Sequence, residues 1–114
     1  MKPIAIILAL LVSGCACFDG DRGMKVATVA LLGSSAFDAA TTWSNVSGGA
    51  KELNPIARPF TSSPGALAGY TIATNAALVG ASCLMKRHGI RGYKVPLWWG
   101  TAVHTGAGIW NKTR

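Results

Sequence analysis

Residues 63–86, SPGALAGYTIATNAALVGASCLMK, decide the fold. Ser63 followed by Pro64 marks a helix entrance: the hydroxyl can cap a free backbone N–H, and proline's fixed φ suits the first helical position. The exit is equally marked. Lys86, Arg87 and His88 put positive charge at the carbonyl end, and Gly89 can take the left-handed turn that closes a helix. Between these signals no charged residue and no period-two alternation occurs, so the stretch predicts one helix of borderline membrane-spanning length. Gly65, Gly69, Ala73, Ala76, Ala77 and Gly80 recur on one side of it. The Gly65-x-x-x-Gly69 spacing is one that lets a neighbouring backbone approach closely.

Working outward, residues 24–45 predict a preceding helix, stopped by Ser44-Asn45 and the Ser47-Gly48-Gly49 turn signal. Residues 96–111 predict a following one, with Trp98, Trp99 and Trp110 at its ends as interfacial anchors. Gly100, Gly106 and Gly108 give this third helix small positions for packing. The connections 46–62 and 87–95 carry too much Gly, Pro and charge to lie in hydrocarbon. The expected fold is all-α: a small bundle of two to three membrane-associated helices, occupying residues 24–114.

Composition supports lipid as the surroundings. Half of the chain is hydrophobic and 13% is charged, against roughly 25% charged in ordinary soluble domains. Mean hydropathy is +0.35. A chain of 114 residues leaves much of its surface uncovered by itself, so apolar excess on this scale points to a bilayer. The net charge of +7 sits at the ends of apolar stretches, where lipid head groups would meet it, and no nucleic-acid-binding module is present.

The N-terminus adds an address. The short apolar run that begins at Met1-Lys2 closes on Leu11-Val12-Ser13-Gly14-Cys15, which resembles the lipobox of bacterial lipoprotein signal peptides. The resemblance implies that residues 1–14 are a cleaved leader and that Cys15 carries lipid at the periplasmic face of the inner membrane, with the outer membrane the less favoured destination. The alternative is an uncleaved helix, although a run of roughly sixteen residues is short of the ~20 needed to cross a bilayer upright. Residues 15–23 then read as a polar tether. Cys17 and Cys83 could pair in an oxidising compartment, but Cys83 reads first as a small buried apolar residue near a helix end. Three crossings from an outer Cys15 would put the basic 86–94 loop outside, against the positive-inside bias. A start at Met24 would relieve that conflict.

Polar residues inside the apolar stretches are the candidate site. Ser34, Asp38, Thr41, Thr42 and Asn45 share one arc of the first helix, and Asp38 is a carboxylate within an apolar stretch. Such a group must be paired, hydrated or protonated. It can be a hydrogen-bonded clasp between helices, which is the preferred reading, or a proton or cation ligand. His104, with Thr101 and Asn111 on its side of the third helix, can meet Asp38 across the interface. Glu52 and Asn54 lie in a turn made rigid by Pro55 and Pro59, where Glu52 can accept backbone donors or pair with Arg58 or Lys51. No pair among Asp38, Glu52 and His104 has metal-ligand spacing, so no metal and no cofactor is expected.

An Asp followed by threonines late in one helix, a Gly-rich turn, then Glu-x-Asn-Pro and a Gly/Ala-rich helix resembles a group of small bacterial membrane proteins classed as a domain of unknown function. The matching elements are Asp38, Thr41-Thr42, Gly48-Gly49, Glu52-Leu53-Asn54-Pro55, the Ser63-Pro64-Gly65 start, and an ending with His104 and Asn111. The resemblance implies a few-pass membrane protein and carries no activity.

Catalysis has no motif behind it: nucleophile turn, phosphate loop and zincin pair are all missing. The expected function is a membrane-anchored lipoprotein that acts by helix association, with itself or with a larger membrane protein, through Gly65, Gly69, Ala73 and Gly80. The alternative is a proton- or cation-binding site around Asp38 and His104.

Overall fold

The computed structural model describes Pro3, residues 16–52 and residues 54–113. The expected leader apart from Pro3, the expected lipidation site Cys15, and Leu53 of the Glu-Leu-Asn-Pro motif lie outside the described residues. Three long helices follow one another: α1 (Arg22–Ser47), α2 (Pro64–Arg87) and α3 (Val95–Thr113), with a short 3₁₀ turn at Arg58–Phe60. No strand occurs among the described residues, so the fold is the expected small all-α bundle.

Helix ends follow the local chemistry. Ser63 Oγ accepts the Ala66 N–H at 3.0 Å and Pro64 opens α2. Asp21 does the same for α1, its Oδ1 accepting the Met24 N–H at 2.9 Å, which starts that helix two residues before the expected boundary. Both α1 and α2 close through a glycine with positive φ, Gly49 at 102° and Gly89 at 70°. Ala50 N–H donates to Asn45 O at 2.9 Å and Ile90 N–H to Met85 O at 2.9 Å, satisfying carbonyls that a helix end leaves open.

α1 and α3 form the broadest interface. Glycine makes it possible: a Cβ on Gly100 would stand 2.7 Å from Leu78 Cδ1 and 2.8 Å from Leu31 Cδ1, and one on Gly108 would overlap the Phe37 ring. The glycines of α2 behave differently. Gly65, Gly69 and Gly80 face open space, Ala73 is exposed, and Gly106 of α3 is equally bare. The stripe expected to pack therefore points away from the bundle, because the opposite side of α2 carries Leu67, Asn75 and Ser82, which fill the interior.

The interior is as polar as it is apolar. Met24, Ala27, Leu31 and Leu97 are buried together with Cys17, yet Ser35, Thr41, Thr42, Asn75, Ser82 and Asn111 are buried as well. Asn75 Nδ2 donates to Ser35 Oγ at 2.7 Å between α2 and α1. Val26, Val29, Leu32, Ile72, Leu84 and Ile109 point outward instead. Among the described residues α2 is the helix long and apolar enough to cross a membrane, with mean hydropathy 1.3 over its most apolar window.

The segment read as a tether is stapled down. Cys17 forms a disulfide with Cys83, which corrects the reading of Cys83 as a mere packing residue: α1's lead-in returns alongside the last turns of α2 and brings the two Cα atoms to 5.6 Å. Residues 16–18 are helical, and Lys86 Nζ donates to Cys17 O at 2.7 Å. Asp21 anchors the same end. Its Oδ2 accepts from Tyr93 Oη at 2.5 Å and lies 3.0 Å from Lys86 Nζ, while Lys94 Nζ stands 3.9 Å from Oδ1. The Tyr93 hydroxyl, then the Met24 N–H and the Lys86 ammonium, hold the Asp21 carboxyl well below the usual carboxylate range.

Candidate functional site

Asp38 sits in the middle of α1, one helical turn before Thr41 and Thr42, so these side chains leave the helix on one face toward α3. Across the interface His104 Nδ1 lies 2.7 Å from Asp38 Oδ2. On the other carboxylate oxygen, Thr42 Oγ1 donates at 3.3 Å and Asn111 Nδ2 at 3.4 Å. Asn111 Nδ2 also reaches Thr42 Oγ1 at 2.9 Å and Thr41 Oγ1 at 3.1 Å. One amide nitrogen with two hydrogens thus serves three acceptors, and the longest contact, to Asp38, is the weakest. Asn45 completes the joint: its Nδ2 donates to the Asn111 backbone carbonyl at 2.8 Å, capping an open acceptor near the end of α3.

Both oxygens of Asp38 are therefore engaged within the chain, the geometry of a clasp between α1 and α3. Its side chain is 20% exposed and that of His104 17%, so the pair is sheltered but not sealed. Against an ionised Asp38, which can only accept, Nδ1 carries the proton. The second ring nitrogen, Nε2, bonds to nothing among the described residues. A carboxylate that fixes one imidazole nitrogen and leaves the other available is how proteins set the tautomer of a working histidine.

Beside this pair opens a cleft of about 610 Å³ between the three helices and the 46–62 connection. Asp38, Thr42, Glu52, Asn54, His104 and Asn111 all border it. Thr41 instead borders a smaller recess of about 390 Å³, next to Phe37 and Lys112. Glu52 reaches the cleft because its turn is knotted locally: Oε1 accepts the Asn54 N–H at 2.9 Å, Asn54 Oδ1 accepts the Ile56 N–H at 3.0 Å, and Arg58 Nε donates to the Glu52 carbonyl at 2.9 Å. Among the described residues no group of three His, Cys, Asp or Glu side chains is placed to hold a metal ion.

The cleft has walls that sequence reasoning did not assign to it. Tyr70, Thr71 and Thr74 come from α2, and Trp99 and Trp110 from α3. Tyr70 stacks on Phe60 with ring centroids 4.9 Å apart. The signal for Thr71 and Thr74 was present: hydroxyls one turn apart in an apolar helix, on the side opposite the glycines. The two tryptophans read as interfacial anchors, since nothing local says that a residue at a helix end also turns toward a cleft.

Compared with protein-family models, curated proteins and solved structures, the chain has no match.

Proposed function

We propose that the protein is a small bacterial lipoprotein, cleaved before Cys15 and held by its acylated cysteine at the periplasmic face of the inner membrane. There it works by helix–helix association with a second copy or a larger membrane protein, and not by catalysis. The observation that carries this reading is the outward face of α2, where Gly65, Gly69 and Ala73 lie bare next to exposed Ile72 on the helix suited to crossing a membrane. In lipid, bare small residues are where helices meet, since close backbone approach replaces the missing hydrophobic drive. The resemblance to small few-pass membrane proteins fits the same picture. Gly69→Leu should abolish a crosslinked or co-purified complex in native membranes while the folded monomer persists, because nothing among the described residues occupies that space. Unchanged association in that variant would count against the reading.

A second reading, a proton- or cation-binding site at Asp38 and His104, is favoured by the free Nε2 beside an open cleft. Asp38→Asn keeps the size of the clasp and one acceptor oxygen but removes the charge. Under this reading it should eliminate saturable sodium binding followed by titration calorimetry, whereas a purely structural clasp has no such binding to lose.

A further inference from the structure

We infer that the cleft between α1, α2 and α3 binds an organic ammonium group carried on an apolar body. This inference rests on the second reading above, that the cleft is a cation site, and names the class of cation.

Charge pattern makes the first case. The chain carries eleven Lys and Arg against four Asp and Glu, yet no described lysine or arginine lines the cleft, while two of the carboxylates, Asp38 and Glu52, do. The Arg58 guanidinium bonds the Glu52 backbone carbonyl, 2.9 Å from Nε. A strongly basic protein with no described lysine or arginine lining this cleft presents a negative recess to whatever enters.

The donor set makes the second case. The carboxylates and His104 do not form a group able to hold a metal ion, so a bare divalent cation has too few ligands here. An ammonium needs less. It is satisfied by hydrogen-bond acceptors and aromatic faces, and the cleft supplies His104 Nε2, the Glu52 carboxylate, and the rings of Tyr70, Trp99 and Trp110. Trp99 and Trp110 are each more than half exposed, which keeps their rings open to a ligand. A cleft of about 610 Å³ also exceeds what the ammonium alone would fill. Its remaining lining of Leu67, Ala77, Leu78 and Val103 is apolar and suits a hydrocarbon portion.

The same chemistry has two sources, an ammonium-bearing phospholipid head group or a soluble amine. The test titrates the purified full-length protein with hexylammonium, following tryptophan emission, with hexanol and hexanoate as matched controls. Saturable binding of hexylammonium alone is expected. Glu52→Gln should weaken it roughly tenfold, the loss of about one charge-assisted contact. That variant keeps the oxygen that accepts the Asn54 N–H, so the turn is retained. Hexanol binding as well as hexylammonium, or an unchanged affinity in Glu52→Gln, would overturn the inference. If hexylammonium fails while sodium binding that Asp38→Asn removes is present, the ammonium assignment falls and the cation reading stands; if both are absent, both fall. With hexylammonium binding established, native mass spectra identify the source. Preferential retention of phosphatidylethanolamine over phosphatidylglycerol marks the lipid, and equal retention marks the soluble amine.

Discussion

Breaking the Cys17–Cys83 bridge should loosen the whole lead-in to α1 without unfolding the bundle. The bridge closes a loop with a sequence separation of 66. For a chain free in water, loop-closure entropy at that length is worth ~4 kcal/mol. In a micelle or bilayer the denatured chain keeps much of its helix and so has less entropy to lose, which lowers the expectation to about 2–4 kcal/mol. Other ties remain after reduction, since Lys86 Nζ still bonds the Cys17 carbonyl at 2.7 Å and Tyr93 still holds Asp21. Residues 16–21 should therefore stay near α2 but exchange amide protons faster. The paired variant Cys17→Ser/Cys83→Ser, followed by thermal unfolding in detergent beside oxidised and reduced wild type, should melt about 10 °C or more below the oxidised protein. Reduced wild type should match the variant. Peptide mapping of the unreduced protein should yield a linked pair containing both residues. Free Cys17 and Cys83 thiols in protein isolated under alkylating conditions, or a variant that melts with the oxidised wild type, would refute the reasoning.

Three further outcomes follow from the packing. Gly100→Ala should destabilise by up to ~2 kcal/mol, because crowding against Leu31 and Leu78 outweighs the gain in helix propensity, whereas Gly106→Ala on the same helix meets nothing among the described residues and should stabilise by up to ~1 kcal/mol; opposite shifts in unfolding midpoint check this. Asn111→Ala removes the donor shared by Asp38, Thr41 and Thr42 and should cost about 1–3 kcal/mol in the same assay. Asp21 has its folded-state pKa depressed, so its contribution is fully present above the unfolded value of roughly 4 and is lost as pH falls toward the folded one. Melting temperature should drop on acidification in wild type, and that drop should be shallower in Asp21→Asn.

Much of this molecule can be read along the chain, and the unread parts share a cause. Ser63-Pro64, Gly48-Gly49 and Arg87-His88-Gly89 are local signals, and each stops or starts a helix within two residues of its expected place. The arc of Asp38, Thr42 and Asn45 is likewise local, so its alignment on one face of α1 follows from helical spacing. Its partners His104 and Asn111 were candidates because polar residues in an apolar helix must find company. What spacing cannot say is which side of a helix turns inward. The glycine stripe of α2 was an arc like that of α1, yet it faces out, because Leu67, Asn75 and Ser82 on the far side are the residues that α2 buries, Asn75 against Ser35 of α1. Contacts between distant loops were also illegible. Asp21 lay in the segment read as a tether, and nothing local marked Tyr93 as its partner.

The buried polar residues and the disulfide together constrain how such a bundle can sit. Asp21, Thr28, Ser35 and Thr42 recur at seven-residue spacing along α1, so a polar line runs through the bundle while Val26, Val29 and Leu32 face outward. A soluble bundle gains its stability from the reverse arrangement, with apolar side chains inside. With hydrocarbon outside, polar contacts such as Asn75 to Ser35 and His104 to Asp38 help specify which helices pair. The Cys17–Cys83 bridge joins the start of α1 to the end of α2, so both ends share one side of any membrane the bundle crosses. A disulfide persists on the oxidising side. The basic 86–94 connection would then lie outside, with Lys86 bonded to the Asp21 carboxylate and Lys94 close to it, and the positive-inside bias, which counts Lys and Arg, is overridden there.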